Sequence, residues 1–221
     1  EEAINTSVNT SKFYHNNTNI IVTPSQQILS NSTIKIYINW HYKVNTGSPQ
    51  RTGMVDSNSY FIAYFFPRIA VYDDIDGWDT WSYNGIQEFY NDFGNFNVSI
   101  TVPRKFVVWA TGDRLNSNDN FNDHILHKMK VADTSTAIIH IINEQDYVDK
   151  NIFSSTATGV WKFSASDVTD FAFALSDHYL WDASSIVVDA ATGRRTLAEA
   201  AFNPIHKDYY DVANQAHQSV Y

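Results

Sequence analysis

Alternation of apolar and polar residues over short segments is the feature that most constrains this chain. In residues 32–44, STIKIYINWHYKV, every second position is apolar or aromatic: Ile34, Ile36, Ile38, Trp40 and Tyr42. Residues 95–102, NFNVSITV, repeat the pattern. Successive side chains of a strand point to opposite faces of its sheet. A period of two therefore predicts half-buried β-strands.

Other short apolar stretches, separated by Gly, Pro, Asn and Asp, also predict strands: residues 59–72, 105–112, 135–142, 158–165, 170–177 and 184–192. A short helix capped at Ser166 is the alternative at the fifth of these. Pro67 marks an edge or a bulge. Residues 1–18 are predicted to be a loose arm or an edge strand, and residues 113–123 a polar loop.

The last segment has a different period. Its apolar residues recur at helical spacing, namely Tyr209, Val212, Ala213, Ala216 and Val220, and Asp208 is placed to cap the start. The prediction is a mostly β chain, a β-sandwich or curled antiparallel sheets, with a short C-terminal helix.

Composition excludes several classes of function. The 221 residues carry a formal net charge of −9 and no cysteine, so disulfides, thiolate nucleophiles and Cys-ligated metals are ruled out. No basic stripe is present for nucleic acid, and no apolar run approaches the about 20 residues that span a bilayer. No signal peptide is visible at Glu1. The Asn- and Tyr-rich, cysteine-free composition suggests a periplasmic or cell-surface location.

The acidic stretch VYDDIDGWDTW, residues 71–81, has two interpretations. Aligning Gly77 with position 6 of an EF-hand loop puts Tyr72 and Tyr83 where charged ligands belong, so an EF-hand is not predicted. The favoured interpretation is a turn in which aspartates accept backbone N–H groups and Gly77 adopts positive φ, with the tryptophans packed. A calcium loop of another type, between Asp73 and Asp79, stays open.

Histidine spacing gives no zinc motif. His124 and His127 are three residues apart with no Glu between them, and solvated histidines in a loop are predicted. His140 and Glu144 lie four apart in a strand pattern, which points them the same way but keeps them distant. Signatures of serine hydrolases, P-loops and dinucleotide binding are missing as well. The residues themselves therefore supply no complete catalytic set.

Aromatic residues cluster after the acidic turn: Trp78, Trp81, Tyr83, Phe89, Tyr90 and Phe93. Filling of a β-core is the favoured interpretation for most of them. The alternative is an exposed platform that stacks on sugars or anchors a protein partner.

Residues 60–116 contain in order the stretches YFIAYFFPR, VYDD, DGW, YNG, EFY, DFG, VSITVP and ATG. This series resembles the N-terminal β-domain of the aminopeptidase N family, gluzincin zinc peptidases that include leukotriene hydrolase, in its bacterial branch. The resemblance implies a saddle-shaped β-sandwich that packs against a thermolysin-like catalytic domain of the same polypeptide. It also implies that residues 1–195 form the N-terminal β-domain and that residues 196–221 begin the catalytic domain.

The family's zinc motif, His-Glu-x-x-His, does not occur in this sequence. We therefore expect a fragment that stops before the zinc site, is inactive alone and holds no cofactor, while its parent uses zinc to remove N-terminal residues from peptide substrates.

The resemblance also implies one substrate-binding position. The family places a Gln or Glu four residues before an Arg to hold the substrate's free amine, and counting back from Arg68 reaches Tyr64. Tyrosine offers one hydroxyl acceptor and a π face instead of a carboxylate or amide. Tyr64 is either a residue of the cleft with altered specificity or part of the core.

Two other functions remain as alternatives. One is a stand-alone carbohydrate- or protein-binding β-sandwich that uses the aromatic cluster near Trp78 and Trp81. The other is a scaffolding domain of a larger surface protein.

Overall fold

A computed structural model describes residues 12–47, 51–87, 90–205 and 212–219. The chain is mostly β, with several antiparallel sheets, none of them closed, and a short C-terminal helix, so the predicted fold class is confirmed. The helices are α1 (Ser117–Asn120), α2 (Asp123–Ala132), α3 (Glu144–Val148) and α4 (Val212–Ser219). The strands are β1 (Lys12–Asn16), β2 (Asn19–Thr23), β3 (Gly53–Asp56), β4 (Ser59–Ile62), β5 (Tyr72–Asp73), β6 (Gly77–Trp78), β7 (Gly94–Thr101), β8 (Val107–Ala110), β9 (Asp113–Arg114), β10 (Ile139–Ile142), β11 (Val160–Val168), β12 (Phe173–Ser176), β13 (Leu180–Asp189) and β14 (Arg194–Phe202).

Three sheets enclose the core. One has the strand order β3-β4-β12-β8, the second β7-β11-β9 and the third β10-β13-β14. The strands predicted over residues 95–102, 105–112 and 170–177 are present as β7, β8 and β12. Two further sheets contain two strands each, β1 with β2 and β5 with β6.

Large aromatic side chains fill the space between the three sheets. The Phe121 ring packs edge-on against Trp161 at a centroid distance of 5.2 Å and lies 5.8 Å from Trp181. All three side chains are almost completely buried, and helix α2 adds Ile125 to the same cluster. Burial of such large apolar surfaces is the main favourable term in folding.

The predicted loop over residues 113–123 is wrong. This stretch forms β9, α1 and the start of α2 because its asparagines bond to the backbone of neighbouring elements. The side-chain amide of Asn120 donates to the backbone carbonyl of Val160 at 2.8 Å. The side-chain Oδ1 of Asn122 accepts the backbone N–H of Ile125 at 3.0 Å and caps α2. Arg114 extends its guanidinium to 4.8 Å from the Trp181 ring centre.

The strand predicted over residues 32–44 is also wrong. No ladder pairs this segment within the part of the chain that the structure describes. Its apolar side is not covered, since Ile34 is 46% and Tyr42 45% exposed. The indole Nε1 of Trp40 donates to the Phe65 carbonyl at 2.7 Å and ties the segment to the rest of the chain. The alternation of apolar and polar residues identifies the face that a strand would bury, but a strand also needs a neighbouring strand with which to form hydrogen bonds.

The strand predicted over residues 59–72 is shorter than expected. Strand β4 ends at Ile62, and Tyr64 adopts a left-handed conformation with φ of 55°. A residue with positive φ cannot continue an extended strand. Beyond it, Phe65 packs on Phe173 and Phe66 packs on Phe96, so the chain turns into the core edge instead of running straight.

The C-terminal helix is confirmed as α4, although Tyr209 and Val220 of the predicted apolar face lie outside the described residues. Ser184 and the His217 Nδ1 are 2.6 Å apart, which places the helix over β13. Strand β14 crosses the predicted domain boundary at residue 195 and stays paired with β13 to its end at Phe202. The division into two domains stays a prediction.

Of the arm or edge strand predicted over residues 1–18, the structure describes only the part from Lys12, which begins in β1. None of the described helices is both long and apolar enough to span a membrane.

Candidate functional site

The backbone holds Tyr64 at the junction between the core and an open surface. Ala63, immediately before it, is buried, and Tyr64 itself is half-buried. Its positive φ is costly for a residue with a side chain and persists only where the surroundings enforce it. The packing of Phe65 and Phe66 into the core edge supplies that constraint.

Two guanidinium groups lie near the Tyr64 ring. The Cζ atom of Arg51 is 5.7 Å and that of Arg68 5.6 Å from the ring centre, and Arg68 also forms an ion pair with Asp170 at 2.5 Å. The neighbourhood of the ring is therefore already cationic. An ammonium group approaching Tyr64 would meet like charges, although a hydroxyl acceptor is present. Its role in substrate binding stays a prediction.

The turn interpretation of VYDDIDGWDTW fits the structure. Asp73 Oδ1 accepts the amides of Ile75 at 3.0 Å and Asp76 at 2.8 Å, and Gly77 has φ of 75°. Hydrogen bonds from the Asp76 and Ile75 amides hold the pKa of Asp73 below its ordinary value. Asp79 Oδ1 accepts the amide of Trp81 in the same way. These aspartates stabilise a two-stranded hairpin, β5 with β6.

The prediction that the tryptophans of this turn are packed is wrong. Trp81 is 87% exposed and Trp78 56% exposed. The Trp78 ring contacts Tyr72 across the hairpin at a centroid distance of 5.1 Å. Tyr90 and Phe93 are exposed as well, so core filling does not explain these members of the cluster. Each strand of the hairpin is two residues long, too short to bring a second layer over the rings.

Within the described ranges, no group of three or more His, Cys, Asp or Glu side chains is arranged to hold a metal ion. The acidic turn is included in this statement, because Asp73 and Asp79 both lie in described residues. The structure therefore offers no support for the calcium interpretation.

Helix α2 contains His124 and His127, which were predicted to lie in a loop. His127 is exposed as expected, whereas the Nε2 of His124 lies 3.1 Å from Asp146 Oδ1. Lys128 Nζ lies 2.9 Å from the other carboxylate oxygen of Asp146. His124 and Lys128 are four residues apart on α2, and this spacing lets both side chains contact the carboxylate of Asp146 on α3 instead of a metal.

Asp146 connects the two helices. Its Oδ2 accepts the Asn143 amide at 2.9 Å and completes a capping box at the start of α3. Burial pushes the pKa of Asp146 upward, but the Asn143 amide, the Lys128 ammonium and His124 outweigh it, so the pKa lies below its ordinary value. This cluster has a structural explanation.

His140 pairs with Asp182 across strands β10 and β13, with 2.7 Å between Nδ1 and Oδ1. Burial raises the pKa of Asp182, and His140 opposes the rise. Glu144, the neighbour weighed for His140 from the sequence, instead begins α3.

One polar network could not be seen in the sequence. The His178 ring lies between two carboxylates, with Nδ1 2.9 Å from Asp177 Oδ1 and Nε2 3.5 Å from Asp56 Oδ1. Asp56 Oδ2 accepts the Tyr179 hydroxyl at 3.0 Å and the Asn203 amide at 2.8 Å. These residues come from the end of β3, the turn between β12 and β13, and the position after β14, and no spacing rule relates Asp56 to Asn203.

Ser176, His178 and Asp177 are adjacent, but they do not form a nucleophile and its base. Ser176 is 1% exposed, and its Oγ accepts the amides of His178 and Tyr179 at 3.1 Å. The hydroxyl of Ser59 donates to it at 2.8 Å. Ser176 therefore organises a turn between β12 and β13, and no substrate carbonyl has access to it.

Comparisons with protein-family models, with curated proteins and with solved structures find no match for this chain.

Proposed function

We propose that the chain is the non-catalytic N-terminal β-domain of a zinc-dependent aminopeptidase, where it forms one wall of the substrate cleft. The observation that carries the proposal is the ordered series of motifs in residues 60–116, from YFIAYFFPR to ATG. A series of eight matched stretches in one order is far more specific than any single short motif.

The arrangement of the strands supports a domain that lines a substrate cleft rather than one that carries a catalytic centre. The motif series begins in β4, passes through the exposed β5–β6 hairpin and ends in β7 and β8, which are core strands. The same stretch therefore links a stable sheet to an uncovered surface. Such a layout suits a rigid domain that borders a cleft formed with a catalytic domain.

In the parent protein, zinc bound to the catalytic domain would supply the Lewis acid for hydrolysis. The contribution of this chain is to line the cleft. Tyr64 is the proposed contact with the substrate, and because two guanidinium groups already lie near its ring, we expect it to contact a part of the substrate other than the amine.

The first test is the reading frame that encodes the chain. The aminopeptidase N family carries a Gly-x-Met-Glu-Asn exopeptidase loop ahead of its His-Glu-x-x-His zinc motif, and both motifs are expected downstream of Tyr221. The polypeptide that includes this region should bind one zinc ion and hydrolyse aminoacyl reporters, whereas the chain alone should do neither. Stoichiometric zinc in the isolated chain after metal stripping and reloading overturns the proposal, and so does a reading frame without the zinc motif.

A second function is favoured by the exposure of Trp78 and Trp81. Exposed aromatic rings on and next to the hairpin are suited to stacking on sugar rings or anchoring a protein. In a stand-alone binding module, Trp81→Ala should abolish binding on a glycan array. Ile75→Ala is the matched control, because Ile75 is equally exposed on the same hairpin but has no ring. Retained binding in Trp81→Ala excludes the platform.

A further inference from the structure

Two surface segments carry opposite charge. Residues 12–47, here called the basic segment, contain Lys12, Lys35 and Lys43 and no Asp or Glu. Residues 69–93, here called the acidic segment, contain six carboxylate residues and no Lys, Arg or His. Charge is thus separated between two segments of a chain whose overall charge is −9.

Both segments also expose apolar side chains. Every buried hydrophobic residue of the described structure lies outside them. Most of the exposed large hydrophobic residues lie within them: Phe13, Tyr14, Ile28, Leu29, Ile34, Ile36, Tyr37, Trp40 and Tyr42 in the basic segment, and Ile69, Tyr72, Ile75, Trp78, Trp81, Ile86, Tyr90 and Phe93 in the acidic segment. Exposed apolar patches with polar rims mark interaction sites.

The two segments are in contact through hydrogen bonds. The Thr18 hydroxyl oxygen accepts the Tyr83 amide at 2.8 Å, and the Asn19 amide donates to the Thr80 carbonyl at 2.7 Å. An open groove of about 470 Å³, lined by residues 36–40 together with Phe66 and Pro67, lies along the basic segment. The surface therefore has a positive part, a negative part and a recess for apolar side chains.

The hairpins on this surface lack the support that a third strand provides. Strands β1 and β2 pair only with each other in the described structure, as do β5 and β6. An isolated two-stranded hairpin is marginal in water. A partner that covers this surface would stabilise both hairpins.

We propose that this surface joins two copies of the chain in a twofold-symmetric dimer, with the basic segment of each copy against the acidic segment of the other. A twofold axis brings the same patch of both copies together, so adjacent positive and negative parts become complementary twice. The dimer goes beyond the proposed function and does not rest on it.

Charge complementarity favours a second copy over another occupant. A uniformly basic partner would match the acidic segment but be repelled by Lys35 and Lys43, and a uniformly acidic partner would have the reverse problem. A second copy supplies both signs in the required arrangement.

The experiment begins with sedimentation equilibrium of the purified chain. A dimer is expected at low ionic strength, and its Kd should increase at least about tenfold when NaCl is raised from about 50 mM to about 500 mM. A chain that is monomeric at every concentration overturns the proposal. Association that is insensitive to salt, or assemblies larger than a dimer, overturns it as well.

Two charge-reversal variants then test the pairing. Lys35→Glu/Lys43→Glu makes both segments negative, since one lysine then stands against two glutamates in the basic segment. Asp74→Lys/Asp76→Lys/Glu88→Lys/Asp92→Lys makes both positive, since four lysines then stand against two aspartates in the acidic segment. The side chains of Lys35, Lys43, Asp74, Asp76 and Asp92 are exposed. Each variant alone should be monomeric at concentrations where the wild-type chain is dimeric. An equimolar mixture should form a heterodimer, because each contact is again between opposite charges.

Lys162→Glu/Arg194→Glu is the matched control. It changes the net charge as much as the first variant does, but at exposed positions outside both segments. This control should dimerise normally, and near-UV circular dichroism should show that all variants are folded. If the mixture stays monomeric, the twofold pairing is wrong. Limited proteolysis of this chain and of the polypeptide extended beyond residue 221 identifies the occupant of the surface. If the two segments are protected only in the extended polypeptide, a neighbouring domain covers them and the dimer is excluded.

Discussion

The compact region, residues 51–66 and 94–205, and the acidic segment are both rich in aromatic residues, yet they use them in opposite ways. In the compact region Trp161 and Phe121 are almost fully buried between sheets. In the acidic segment Trp81 and Phe93 are exposed to solvent. Aromatic content therefore does not decide burial. The compact region has layers that close over each ring, whereas the acidic segment has a hairpin without a second layer.

This contrast has an energetic consequence. Stability should depend on the compact region, because it holds the buried apolar surface. The basic and acidic segments should be able to open without unfolding the rest, since local stability follows local packing. Pairs of matched substitutions, one in each region, test the contrast directly.

The largest difference in the free energy of unfolding is expected between alanine substitutions of two tryptophans. Trp161→Ala removes a side chain that is 0% exposed and should cost about 3–5 kcal/mol of the free energy of unfolding. Trp81→Ala removes one that is 87% exposed and should change it by less than about 0.5 kcal/mol. Urea denaturation followed by far-UV circular dichroism measures both. Equal losses in the two variants would contradict the division into regions.

A smaller difference in stability is expected between alanine substitutions at two glycines with positive φ. At Gly112, φ is 84° and an added Cβ would lie 2.2 Å from the Ser164 carbonyl oxygen, so Gly112→Ala combines backbone strain with a backbone clash. Gly77 has φ of 75° and its nearest neighbour would be a Tyr72 ring carbon at 3.8 Å.

Gly77→Ala should therefore cost only the left-handed conformation, about 1–2 kcal/mol, and only within its hairpin. Thermal unfolding should show a clear loss for Gly112→Ala and little change for Gly77→Ala. Gly193→Ala, with φ of 71° and open space around the added Cβ, is the control for strain without a clash. A Gly193 variant as unstable as the Gly112 variant would show that the contact has no part in the effect.

The smallest effect is a pH dependence. The pKa of Asp146 in the folded protein lies below its ordinary value, so Asp146 contributes stability that is present above about pH 4 and is lost as the pH falls through its folded-state pKa. Asp146→Asn should lower the urea midpoint at about pH 7 and have less effect at about pH 3.

The pKa of Asp73 is also lowered, by backbone amides of the exposed hairpin. Because that hairpin lies outside the compact region, Asp73→Asn should leave the global midpoint unchanged at both pH values. A loss of midpoint in Asp73→Asn equal to that in Asp146→Asn would show that the acidic segment unfolds together with the core.

Much of the fold could be predicted because the information was local. The alternation in residues 95–102 predicted β7, and the helical spacing near Ala216 predicted α4. The chemistry of the acidic turn was equally local, since Asp73 bonds to amides two and three residues away. Such contacts follow from sequence spacing and turn geometry.

Other features could not be predicted, because they depend on distant residues. The alternation of residues 32–44 is as clear as that of β7, but no strand lies beside it in the described structure. The ordered position of Asn120 could not be predicted, because its partner, the Val160 carbonyl, is 40 residues away. Arg51 beside Tyr64 and Asp56 beside His178 also come from other parts of the chain.

The sequence by itself determined which segments prefer to be strands, turns or a helix, because those preferences arise from side-chain spacing and backbone sterics. Only the tertiary structure decided which apolar faces are covered. A face is covered only if another sheet or helix packs against it. The covering element can be far away in the sequence, because lengthening the connecting loop costs little free energy. Among the residues that the structure describes, such a covering element exists for Trp161 and is missing for Trp81.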